Sequence, residues 1–172
     1  MRKISPQPLT TENFAPFGDV IDTTTASNHF TINYGLTTRF HDLAHIDVNA
    51  HGGRPGFSIF RGQPISLPHR PEVMEYHPLG SQLFYPVCDS PFLVLVAPPS
   101  ETLDTSQIQL FITNGKQGVN YHKGTWHHYL MTLDKESDFI VIDRIADDKN
   151  CIETTISEPI IIQLDETGSK TP

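Results

Sequence analysis

Phe92-Leu93-Val94-Leu95-Val96-Ala97, stopped by Pro98-Pro99, is among the longest apolar runs of this 172-residue chain. Six residues suit a strand and fall far short of a membrane span. Similar short runs, rich in β-branched and aromatic residues, cover 57–60, 107–113, 129–133 and 139–145. Eleven glycines and fourteen prolines punctuate the chain between them. Many short strands at that spacing predict an all-β sandwich or barrel. Asp134-Lys135-Glu136-Ser137 is a polar turn between two of the runs and predicts a hairpin. Helical periodicity is weak, with short candidates at 10–14, stopped by Pro16, and around 41–48. The length suits one domain over 1–172, with a polar tail from about residue 165.

Twelve Lys and Arg stand against twenty Asp and Glu, a formal net charge of −8, and no basic cluster interrupts that balance. Nucleic acid and anionic membrane are thereby excluded as partners, because phosphate binding needs a concentrated positive face. A small anionic substrate remains open, since one or two buried arginines suffice for it. Cys88 and Cys151 have neither CxxC spacing nor a disulfide framework and are read as reduced thiols. Met1-Arg2-Lys3-Ile4-Ser5-Pro6 lacks the apolar core of a signal peptide, so a cytoplasmic address is expected.

The chemistry concentrates in the histidines, of which there are nine. Residues i and i+2 of a strand share a face, so Glu75-Tyr76-His77 projects a carboxylate and an imidazole side by side, and Gln82 follows five residues later. His122-Lys123-Gly124-Thr125-Trp126-His127-His128 gathers three more imidazoles around a glycine turn. His127 and His128 face opposite ways if extended, so only one can enter a barrel interior. His41 and His45 lack an HExxH pattern, and His29, His51 and His69 lie in loop-like stretches; all five are read as surface residues.

The two clusters resemble the paired motifs of cupin barrels, a His-x-His with a following Glu and a Pro-x-Gly-x-x-His. Here Glu75 replaces one His, Gln82 replaces the Glu, and His122-x-Gly124-x-x-His127 replaces Pro with His. Cupin side chains at these places point inward and usually hold a divalent metal. Glu75, His77 and His127 could form such a site of two imidazoles and one carboxylate; Gln82 would be a weaker, neutral ligand.

At the level of sequence the chain is similar to the ureidoglycolate lyase family. The similarity is carried by Phe14-Ala15-Pro16-Phe17-Gly18-Asp19-Val20-Ile21, Ile32-Asn33-Tyr34-Gly35-Leu36, Arg39-Phe40-His41-Asp42-Leu43-Ala44 and Phe60-Arg61-Gly62-Gln63-Pro64. It continues through Glu75-Tyr76-His77-Pro78-Leu79-Gly80-Ser81-Gln82, Phe111-Ile112-Thr113-Asn114-Gly115, Gly118-Val119-Asn120-Tyr121-His122 and Trp126-His127-His128. The chain departs at Gly124, where some relatives carry another residue, and at Tyr129, where Pro is usual.

The resemblance implies a cupin-type barrel with a few short helices, a homodimer, a possible nickel requirement and no organic cofactor. It implies conversion of ureidoglycolate to glyoxylate and urea in allantoin catabolism. That substrate joins a carboxylate, a hydroxyl and a ureido nitrogen at one carbon. Its collapse needs a base for the hydroxyl proton, an acid for the departing nitrogen and a cation for the carboxylate. Glu75, His77, His122 and His127 are the expected proton-transfer residues. Arg61 or Arg39 is the expected carboxylate clamp, and Asn33, Gln82 and Asn120 would hydrogen-bond the ureido group. The alternatives are a metal-dependent amidohydrolase releasing ammonia and a non-catalytic small-acid-binding cupin.

Overall fold

The computed structural model describes residues 1–164; the polar tail expected from about residue 165 lies outside them. Strands dominate, and the helical pieces are one α-turn at Thr11–Phe14 and three 3-10 turns. The architecture is all-β and cupin-like, built on two sheets. One runs, in spatial order, through Ile152–Thr155, Val73–Tyr76, Trp126–His127, Phe92–Ala97, Gln109–Ile112 and Gln7–Pro8, with Met131–Thr132 also on Phe92–Ala97. The other runs through Gly18–Ile21, Gly118–Tyr121, Gln82–Pro86, Ser137–Ile145 and Arg54–Gly62. His29–Ile32 and Thr37–Phe40 form a hairpin of their own.

Six phenylalanines, Phe14, Phe17, Phe84, Phe92, Phe111 and Phe139, dominate the apolar cluster shared by the two sheets. Phe14 meets Phe111 at 5.5 Å and Phe92 meets Phe139 at 5.0 Å, both edge to face, the arrangement that ring quadrupoles favour. A second cluster holds Leu93, Leu95, Ala97, Leu110, Trp126 and Ile160. The period of two therefore sends Phe92, Val94 and Val96 into one cluster and Leu93, Leu95 and Ala97 into the other. Burial on both faces is why that stretch carries no polar residue.

Two local expectations are corrected. Residues 41–48 form no helix, because their backbone donors are taken by distant partners. His41 N donates to Asn28 O, His45 N to the Asp19 carboxylate and Asp47 N to the Ser81 hydroxyl. Asp42 moreover sits at φ 56, outside the helical region. The turn at 134–137 closes no hairpin: Met131–Thr132 pairs with Phe92–Ala97 in one sheet, while Ser137–Ile145 enters the other. The turn carries the chain between sheets. The helix expected at 10–14 is present, capped by a Thr10–Asn13 capping box.

Phe111 is fully buried against Phe14 and Phe17. Phe111→Ala is expected to lower the unfolding free energy by about 3–5 kcal/mol, read from the denaturant midpoint at unchanged slope.

Candidate active site

Strand pairing brings the first three functional side chains together. His127 lies opposite Glu75 on one side and Val96 on the other, and antiparallel partners share a face. Val96 belongs to the Phe-rich cluster, so Glu75 and His127 face the same interior. His77, two residues after Glu75, joins them. The turn before His127 is tied to that place, since Gly124 N donates to His77 O at 3.0 Å. Gly124 holds φ +86 there, a conformation that a side chain disfavours. His128 turns the other way, with Nδ1 2.6 Å from Val73 O.

The imidazoles are held in one tautomer. His77 Nδ1 lies 2.6 Å from Asn150 O and His127 Nδ1 lies 3.0 Å from Thr125 O. A carbonyl only accepts, so each Nδ1 carries a proton, and in the neutral ring Nε2 presents the lone pair. Neither Nε2 has a hydrogen-bond partner. His77 Nε2 is 3.9 Å and His127 Nε2 3.4 Å from Glu75 Oε1. Burial lowers the His127 pKa from its ordinary value, and the polar contact with Glu75 only partly offsets this. Burial alone would raise the Glu75 carboxyl, but His127 and His77 outweigh it and hold Glu75 below the usual carboxylate range. Tyr121 stacks on His127 at 4.3 Å, nearly parallel; burial pushes its phenol well above the ordinary value.

Glu75, His127 and Tyr121 border a cavity of about 350 Å³ whose lining also includes Gln82, Phe84 and Arg61. Gln82 is buried as expected, with Oε1 unpartnered. Its Nε2 donates to Asp143 Oδ2 at 3.4 Å, and Asp143 Oδ1 is also unpartnered. Sequence reasoning missed Asp143, although its signal was there: it continues the alternation of Phe139 and Val141, both in the Phe-rich cluster. A neighbouring cleft shares Gln82 and is lined by His77, Asp143, Lys149, Asn150 and Cys151.

Five expected site residues are placed otherwise. Asn120 lies between Val119 and Tyr121, which belong to the interior cluster, so it faces outward. There it donates to Asp19 Oδ2 and His45 O, both at 2.9 Å. His122 has the same parity, and its Nε2 is 3.0 Å from Asp19 Oδ1. Arg61 lines the cavity but is not a free inward guanidinium. Its Nε and Nη2 donate to the two oxygens of Asp138 at 2.7 and 2.8 Å, which raises its pKa further. Asn33 and Arg39 stand on the exposed hairpin, away from the cavity lining.

A model of the family described as ureidoglycolate lyase matches residues 1–163. The chain belongs to that family. It is 52% identical over 160 residues to a ureidoglycolate lyase of Burkholderia mallei (strain NCTC 10229), covering 93% of each chain. With a ureidoglycolate lyase of Pseudomonas syringae pv. syringae (strain B728a) it shares 45% identity over 165 residues, 96% of each chain. With that of Pseudomonas aeruginosa (strain LESB58) it shares 44% over 170 residues, 99% of this chain and 100% of the other.

In this member of the ureidoglycolate lyase family, one ligand atom each from Glu75, His77 and His127 lie within 4.8 Å of one another. Two bare imidazole nitrogens and a carboxylate suit a borderline divalent cation, so the set is compatible with a metal. No helix among the described residues is long and apolar enough to cross a membrane.

The pKa directions fix the sign of a pH effect. Below pH 6.5 the unfolded chain protonates His127 while the folded chain does not, so stability falls as pH drops from 6.5 toward the lowered folded value. Glu75 extends the trend, because its contribution is present above 4.5 and lost as pH falls through its lowered folded value. Unfolding free energies between pH 7 and 5 are expected to decline in the parent and to be flatter in His127→Gln.

Proposed function

We propose that this chain cleaves ureidoglycolate to glyoxylate and urea, with Glu75, His77 and His127 as its proton-transfer groups. It is read as one domain over 1–172, a cytoplasmic homodimer acting in allantoin degradation. The observation that carries the site is the pair of buried, unpartnered Nε2 atoms flanking one carboxylate, His127 on the cavity and His77 on the cleft beside it. His127, held neutral by burial, takes the substrate hydroxyl proton. As the new carbonyl forms, the carbon–nitrogen bond breaks and the urea nitrogen receives that same proton, passed on from His127 Nε2 across Glu75 to the His77 Nε2 lone pair and from there to the leaving group. Glu75 stabilises whichever imidazole is charged. Gln82 Oε1, buried and without a donor, accepts from a ureido N–H. No covalent nucleophile is required.

Glu75, His77 and His127 would also be the residues that hold a divalent ion, nickel being the one the family resemblance implies. When bound, such an ion supplies a Lewis acid for the substrate oxygens.

His127→Ala is expected to lower kcat by about 10²–10⁴-fold, the usual contribution of a general acid–base group, with KM less affected. The assay follows glyoxylate and urea separately. Ammonia in place of urea would favour the amidohydrolase chemistry, and no turnover the binding module. Arg61→Lys is expected to change KM far less than removal of a free guanidinium would, because Asp138 already occupies its fork. After chelation, calorimetry is expected to show uptake of one Ni²⁺ per chain. His77→Ala should weaken that uptake by at least the roughly 10–100-fold seen on losing mere supporting partners.

A further inference from the structure

Residues 29–40 project as a hairpin whose strands pair only with each other among the described residues. Its strands hold four residues each, so the arm extends about 13 Å before its tip. At the tip, Asn33 and Tyr34 take left-handed φ values of 53 and 57. Tyr34 is fully exposed, Leu36 is 88% exposed, and Phe30 and Phe40 are exposed as well. An apolar projection that buries little against its own chain marks a contact surface. Its root is nonetheless fixed, because buried Asn120 clamps Asp19 and His45 O just beyond it.

Charge says what the surface meets. The chain carries twenty acidic residues, yet 23–41 contains none. The arm's one full charge is Arg39, which has no ion pair among the described residues and only the Phe30 ring at 5.9 Å. The candidate active site has the opposite character. Phe57, Ile59 and Phe60 are exposed on Arg54–Gly62, the last strand of its sheet. Glu136 and Asp138 stand there too, and Asp138 has consumed Arg61, the only Lys or Arg of the cavity lining. Lys149, in the neighbouring cleft, offers a point charge rather than a fork. One region of the molecule lacks a free guanidinium, and another displays one on an apolar arm.

We propose that the hairpin docks on a second copy of this chain, laying Tyr34 and Leu36 on the exposed strand Arg54–Gly62 and bringing Arg39 to the mouth of that copy's cavity, where it grips the substrate carboxylate. Two-fold closure makes the exchange reciprocal, one arm for each site. The proposal rests on the reading of the Glu75–His77–His127 cavity as the substrate site.

Subunit mixing tests it. Arg39→Ala is expected to lose about 10–100-fold in kcat/KM, the value of a charge-assisted grip, and His127→Ala to lose turnover. Neither variant alone recovers. Unfolded together and refolded, they are expected to reach roughly a quarter of parent activity, because half the dimers are mixed and each mixed dimer has one intact site served by an intact arm. A mixture no more active than the average of its two parents overturns the exchange, as does Arg39→Ala with parental kcat/KM. Leu36→Asp changes a side chain that is 88% exposed, so the fold, checked by circular dichroism, is expected to persist. Light scattering should then return 19.3 kDa for that variant and twice this for the parent. A monomeric parent, or a variant that stays dimeric, overturns the docking. Full turnover by His127→Ala would instead refute the cavity reading, and the light-scattering comparison would still decide the docking.

Discussion

Two backbone carbonyls, Thr125 O and Asn150 O, govern the chemistry of the cavity, because each takes the Nδ1 proton of an imidazole. A free imidazole carries its proton on either nitrogen and rotates about two bonds. With Nδ1 committed, ring orientation and lone-pair direction are set together. The remaining arrangements serve that commitment. The register of His127 against Glu75 places the carboxylate, the bond from Gly124 N to His77 O ties the two loops, and Tyr121 covers one ring face.

The resulting site is left incomplete. His77 Nε2, His127 Nε2, Gln82 Oε1 and Asp143 Oδ1 are buried polar atoms without partners in their own chain. Each such atom costs on the order of 1–3 kcal/mol of desolvation, and here four of them converge around one carboxylate. Four acceptor atoms around the Glu75 carboxylate suit a small polar molecule with donors of its own better than an apolar one. The apolar walls, Phe84 among them, keep the local dielectric low, so the charges inside act strongly on one another.

Much of this was legible in the residues. Glu75 and His77 share a face by strand parity, His127 and His128 part by the same rule, and Gln82 is buried beside them. Asn120 and His122 lie on the other face for an identifiable reason. Gly118–Tyr121 is buried throughout, so hydrophobicity alone does not say which parity faces the cavity; the pairing of Tyr121 with Gln82 decides it. The pairing of Arg61 with Asp138, 77 residues away, is a contact no local pattern announces. The helix expected at 41–48 failed similarly, its donors being claimed by Asn28, Asp19 and Ser81.

Strand order also has a consequence for biosynthesis. Ser137–Ile145 lies between Gln82–Pro86 and Arg54–Gly62, so those two earlier strands have no common neighbour until residue 145 has been made. A nascent chain therefore leaves the ribosome with unpaired strand edges, one bearing Phe57 and Ile59, for nearly half of its elongation. Open apolar edges are templates for pairing with other chains, and sheets closed by late, long-range strands fold slowly. The interval before that last central strand arrives is when this protein depends most on dilution or on chaperones.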